Sequence, residues 1–277
     1  TDQMWQIRNK SQQLMPRQLA AFVYGCAFVI VVLGLIRDTK MLSKEVKEKE
    51  TQYPSMFDNA RGILYKQATE PVKIERKKLT LKGWNRGSGG LLDSDRLLIG
   101  ELYFNATSVF EFGLGESTKI AAHVGVPRYS GVDSDALWVT KAREDASMDH
   151  FRFYFGDIGK TRNFGNPTNE SLQKIHYNYQ IAPLAAESKA FDFYLVDGRY
   201  RTACACASFL HAMSHGGDMS RVMVAVHDSD RDLYGLHIGK VAKVVEKSKL
   251  LSVYKLNKNV TEEDVFHVWE TVVSLVQ

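Results

Sequence analysis

The chain has 277 residues, of which 44% are hydrophobic and 25% charged, so wholesale disorder is excluded and one sizeable globular domain with extensions is expected. A formal net charge of +4 is too weak to argue for nucleic acid, and no basic stripe with interleaved aromatics accompanies it. The three cysteines form neither a disulfide framework nor a zinc spacing.

In chain order, residues 1–18 are a polar N-terminal segment. Leu19–Ile36 follows with eighteen residues and no charge. As a helix it would span about 27 Å, close to the hydrocarbon core of a bilayer. It reads as a single transmembrane helix bracketed by Arg17 and Arg37. A secretory signal would be shorter and would lead into a small-residue cleavage site, whereas RDTKMLSKEVKEKE comes next. The expected partners are therefore the lipid bilayer and, through the span, other membrane subunits, with no nucleic acid. The expected location is a membrane, with mitochondrial, plastid and Golgi membranes among the settings. The start at Thr1 rather than Met fits a trimmed organelle precursor, and an artificial boundary would look the same.

Residues 37–90 read as a tether, with Pro54, Pro71 and GWNRGSGG as breakers. KIERKKLTLK (73–82) is the densest basic stretch, a solvated linker or a face for anionic headgroups. The domain is expected over 91–277. A helix capped by Ser94 runs through DRLLIGELYFNA. Strands are expected at 109–112, 129–132, 151–157, 191–198, 221–228 and 250–256. Helices are expected at 118–125, 134–146, 202–215, 233–247 and from about 261 to the end. Residues 158–190 look like an insertion. Alternation of strands and helices predicts an α/β fold with a doubly wound, mostly parallel Rossmann-like sheet.

Ligands in such sheets lie at the carboxyl ends of the strands. The polar residues expected there are Glu111, Asp133, Asp157, Asp197 and the pair His227–Asp228. Glu111-Phe-Gly113-Leu-Gly115-Glu-Ser117 lacks the third glycine of a dinucleotide fingerprint. Glu111 and Glu116 are expected to bring negative charge that would repel a pyrophosphate and suit a cationic or zwitterionic ligand. Asp133 can accept both hydroxyls of a ribose, and Asp157 can meet an adenine amino group.

These residues resemble the class I S-adenosylmethionine-dependent methyltransferases. EFGLGEST is similar to their first motif, GVDSD to the second, FGDIG to the third and FYLVDG to the fourth, over about residues 95–256. The resemblance implies S-adenosylmethionine as cofactor, with Gly113 and Gly115 at its methionine part, Asp133 on the ribose, Asp157 near the adenine, and Glu111 and Ser117 among the cofactor-binding residues. Two features depart from the family: the third glycine is replaced around Ser117, and the final antiparallel strand is not evident. His227, Asp228 and Asp197 are the candidate catalytic residues, with His227 as base or as a structural histidine. Asp197 with Asp228 could hold a divalent cation, as in catechol-type oxygen methyltransferases, but no third ligand is evident and no metal is assigned. Arg199, Arg201 and Arg231 suit an anionic acceptor. HDSDR is similar to segments of plant glucuronoxylan methyltransferases, which are single-span membrane proteins. The functional expectation is a membrane-anchored methyltransferase. The alternative is a non-catalytic subunit of a respiratory or photosynthetic membrane complex that retains the fold.

Overall fold

The computed structural model describes residues 74–86, 90–161, 167–168 and 173–275. The apolar run Leu19–Ile36 lies outside them, and no helix among the described residues is long and apolar enough to cross a membrane. The chain divides between Glu70 and Pro71, and everything below concerns Pro71–Gln277.

Its elements are α1 (Asp93–Asn105), β1 (Ser108–Phe112), α2 (Glu116–Val124), β2 (Arg128–Asp133), α3 (Ala136–Ala146), β3 (Arg152–Phe155), α4 (Gln173–Gln180), α5 (Ala182–Ala185), β4 (Phe193–Val196), α6 (Arg201–Ser214), β5 (Met223–Val226), α7 (Asp232–Ile238), β6 (Ala242–Lys247), β7 (Ser252–Leu256) and α8 (Glu262–Val272). The sheet order is β3-β2-β1-β4-β5-β7-β6. Strands β3 to β5 are parallel in that row, while β7 is antiparallel to both β5 and β6. The expected α/β class and the mostly parallel sheet hold, and the antiparallel strand that the sequence did not make evident is present.

The two sides of the sheet follow from the two-residue period of a strand. Phe110, Phe112, Tyr194, Val196, Val224 and Val226 belong to one buried cluster, which takes in α6 and α8. Val109, Phe193, Leu195 and Ala225 belong to the other, under α1, α2 and α3. Parallel strands buried on both faces read as continuous apolar runs, which is why they were visible in the sequence. Small residues in α6, including Ala203, Cys204, Ala205 and Cys206, let that helix lie close, and both cysteines are buried and free.

One expected helix, 233–247, is corrected. It is α7 followed by β6, with Gly239 at the helix end. VAKVVEK has β-branched residues that favour an extended chain, and β6 pairs along its length with β7. The expected insertion carries α4 and α5, whose Tyr179 and Leu184 enter the core.

Residues 74–86 are more than an approach. Arg76 Nη2 donates to the carbonyls of Tyr103 (2.8 Å), Phe104 and Ala106 (3.0 Å) at the end of α1. Lys77 N donates to Val124 O at the end of α2 (3.3 Å). Gly125 (φ +72°) closes α2 in the left-handed conformation, and a Cβ there would lie 2.5 Å from Glu75 O. Leu79 is buried against Gly100, while Lys77, Lys78 and Lys82 face solvent.

Candidate functional site

The turn after β1 bends toward the ends of β2 and β4. Gly113 has φ +89°, and a Cβ there would sit 2.7 Å from Asp197 C and Gly198 N, so only glycine fits. Gly113 N donates to Val132 O (2.8 Å), and Leu114 N donates to Asp133 Oδ2 (2.9 Å). Asp135 N donates to Asp133 Oδ1 (2.9 Å). The Ser134 amide also acts on this carboxylate, and two oxygens with about four lone-pair sites still leave it acceptor capacity. Burial, only partly offset by these amides, raises Asp133 to about 6. At Gly115, two residues on, a Cβ would meet nothing within 4 Å, so the turn is open there. Gly113→Ala should lower stability by roughly 1–3 kcal/mol through strain and displacement of the β4 end, read as a lower midpoint in a urea melt.

Two acids expected to charge this turn do not do so. Glu111 is fully buried on the α1–α2 side of β1. It accepts from Tyr103 Oη (2.5 Å), Thr118 Oγ1 (2.7 Å) and Tyr129 Oη. Burial raises its pKa, and these hydroxyls and that of Ser117 work against the rise. Ser117 is therefore also turned toward Glu111. Glu116 receives a fork from Arg96, Nε to Oε1 at 2.7 Å and Nη2 to Oε2 at 2.8 Å, and a bond from Trp84 Nε1 (2.8 Å). Both acids are thus turned into the protein and away from the turn, and the reason is tertiary: the partners come from α1, α2, β2 and the 74–86 segment. Asp157 follows β3, is exposed, and pins its own loop through Gly159 N (2.8 Å).

The ends of β4 and β5 are tied by Arg201, the first residue of α6, whose side chain is 5% exposed. Its Nη2 lies 3.2 Å from Asp197 Oδ1 and its Nη1 2.9 Å from Asp228 Oδ2. It also donates to Gly198 O (3.0 Å) and His227 O (2.5 Å). Two left-handed residues permit this arrangement, Tyr200 (φ 54°) just before α6 and Asp228 (φ 53°) just after β5. Non-glycine residues in that region mark a turn held by its surroundings. Arg201, expected to bind an acceptor, is instead an internal brace.

His227 Nδ1 donates to Asp197 Oδ1 (3.0 Å) and lies 3.4 Å from Asp228 Oδ1. Burial would lower its pKa, but Asp197 and then Asp228 outweigh burial and raise it. Burial would raise Asp197, and His227 and Arg201 hold it below the usual range instead. Donor atoms of Asp197, His227 and Asp228 lie within 4.8 Å of one another. The guanidinium of Arg201 already supplies the cation between the two carboxylates, so the cluster is read as a closed ion network. Arg231, 54% exposed, donates to Asp228 Oδ2 (3.1 Å). Arg199 is half-buried, and desolvation, with Arg201 and Arg231 nearby, lowers its pKa.

Asp95 was not singled out from the sequence. It is fully buried in α1, accepts from Ser248 Oγ (2.5 Å) and Leu250 N (3.1 Å), and places Oδ2 3.6 Å from His227 Nε2. In the sequence it is one acid among several in the first turn of a helix, and only the arrival of the β6–β7 loop gives it a role.

No family model matches the chain, and no curated protein does. Solved structures do match. A methyltransferase-like protein from Silicibacter pomeroyi superimposes with a TM-score of 0.55 at 20% identity, covering 68% of this chain and 98% of that one. An S-adenosylhomocysteine-bound methyltransferase from Podospora anserina matches at 0.40 and 10% identity, over 61% and 83% of the two chains. An RNA methyltransferase from Salinibacter ruber in complex with S-adenosyl-L-homocysteine matches at 0.38 and 14% identity, over 62% and 96%. The first of these likenesses shows the fold alone, a Rossmann-like α/β fold shared with that protein.

Proposed function

We propose that the chain is an S-adenosylmethionine-dependent methyltransferase, tethered to a membrane through residues 19–36, that acts on an anionic acceptor. The observation that carries the cofactor reading is the Asp133 carboxylate, pinned by Leu114 N and Asp135 N with acceptor capacity left over, beside the open turn at Gly115. Asp133 would hold the ribose hydroxyls and the 113–115 backbone would face the methionine part. Asp157, exposed beyond β3, is the candidate for the adenine side. The bound cofactor would supply a methyl group on a sulfonium. The chain would supply proximity, exclusion of water and a carboxylate at the rim.

Arg199 and Arg231 are the candidates for an anionic acceptor. Arg231 is the more exposed and already faces the rim at Asp228. With labelled cofactor and a uronate-containing oligosaccharide, S-adenosylhomocysteine should form, and the neutral oligosaccharide should give little. Arg231→Ala should raise KM for the anionic acceptor about tenfold with kcat nearly kept, the loss of one charged hydrogen bond. Cofactor binding without turnover on any acceptor would favour the accessory-subunit reading. The tether would be supported if the full chain stays with membranes in alkaline carbonate and leaves them only in detergent.

A further inference from the structure

His227 is boxed by charge on every side. Asp95 approaches from α1, Asp197 from the end of β4, Arg201 from α6 through the His227 carbonyl, and Asp228 is its chain neighbour. The ring is 5% exposed, against 24% for the Asp197 side chain and 27% for Asp228. Nδ1 is the donor to Asp197 at 3.0 Å. Nε2 is buried, has no hydrogen-bond partner among the described residues, and points its edge at the buried Asp95 carboxylate 3.6 Å away. A bare lone pair on Nε2 would face that carboxylate and repel it, whereas an N–H there is attracted. At such separations in a poorly solvated site the difference amounts to several-fold in the protonation equilibrium or more.

Asp95 is itself fixed. Ser248 Oγ, Leu250 N and Leu92 N (3.2 Å) all donate to it, so it is a rigid acid anchored to the β6–β7 loop. These bonds offset the effect of burial and keep its pKa below the usual range.

We infer that Asp95 is a positioning residue that clamps His227 from the side opposite Asp197, holding both ring nitrogens as N–H donors. In the methyl-transfer reading, on which this rests, His227 then has no lone pair with which to take a proton from an acceptor, and it serves as the fixed cation that holds the Asp197 carboxylate at the rim.

The test uses the full chain labelled at histidine and followed by NMR, with His227→Gln assigning the resonance. Wild-type His227 should titrate above the ordinary value of about 6.5 and show both ring N–H protons slowed in exchange. Asp95→Asn should lower its proton affinity at least tenfold while S-adenosylmethionine affinity stays within about twofold. Ser248→Ala, which keeps the carboxylate but loosens it, should give a smaller shift in the same direction. If Asp95→Asn fails to fold, the wild-type titration and Ser248→Ala decide. A wild-type His227 that titrates at or below the ordinary value, or a titration unmoved by the folded variants, overturns the inference. Failure of the cofactor to bind wild type overturns the methyl-transfer reading alone, and the titrations still report on the clamp.

Discussion

Arg201→Ala should lower the stability of the protein by roughly 3–5 kcal/mol at pH 7, the cost of stripping the partner from buried charges. Arg201 reaches Asp197, Asp228 and the carbonyls of Gly198 and His227 at once, so its loss takes the shared cation from two carboxylates, leaving them to His227 and Arg231, and removes a donor from two backbone acceptors. A urea melt would show it as a lower midpoint with little change in slope. The pH dependence gives a second handle. Asp197 is held below the usual carboxylate range in the folded protein, so its contribution is present above the unfolded value of about 3.9 and is lost as pH falls through its folded value. His227 is shifted upward, so its contribution is present below about 6.5 and is lost as pH rises through its folded value. The network is thus most stabilising between these limits. In the Arg201→Ala protein Asp197 loses a cation and protonates more readily, so the gap to wild type should narrow as pH falls through the carboxylate range. A gap that stays constant from about pH 5 to well below about 3.9 would contradict the ion network.

Asp133→Ala should leave the fold largely intact and remove most of the affinity for S-adenosylmethionine. The carboxylate is raised to about 6 by burial, so its ionised form already strains the native state, and removing it costs little at pH 7. Binding is different. Two ribose hydroxyls donating to a carboxylate contribute roughly 2–4 kcal/mol, or about 30- to 1,000-fold in Kd. Since only the ionised acid accepts both, wild-type affinity should fall as pH drops below about 6, approaching tenfold per pH unit once the unbound acid is protonated and levelling off only where the acid protonates in the complex too. Asp133→Ala should show no such slope, and a shared slope would place the titrating group elsewhere.

The central strands β1, β4 and β5 are legible because each is buried on both sides and reads as a compact apolar run, FDFYLV and RVMVAV above all. The 113–115 turn and Asp133 were legible because short-range spacing fixes a strand, a tight turn and the next strand end. The helix expected over 233–247 failed because Val241, Val244 and Val245 fit helical spacing as well as an edge strand; pairing with β7 decides between them. Glu111 and Glu116 were misplaced for a different reason. An acid next to a glycine turn looks ligand-facing until Tyr103, Tyr129, Thr118, Arg96 and Trp84 are brought to it. Arg201 and Asp95 lie at the same limit. Ser248 donates to Asp95 across 153 positions of sequence, and no local pattern carries that information.

The most direct measurement is a calorimetric titration of S-adenosylmethionine, and then S-adenosylhomocysteine, into the full chain at pH 7.5, with folding checked by circular dichroism. The account predicts one site per chain with affinity in the micromolar range. No heat and no competition from a chain that is demonstrably folded would contradict it.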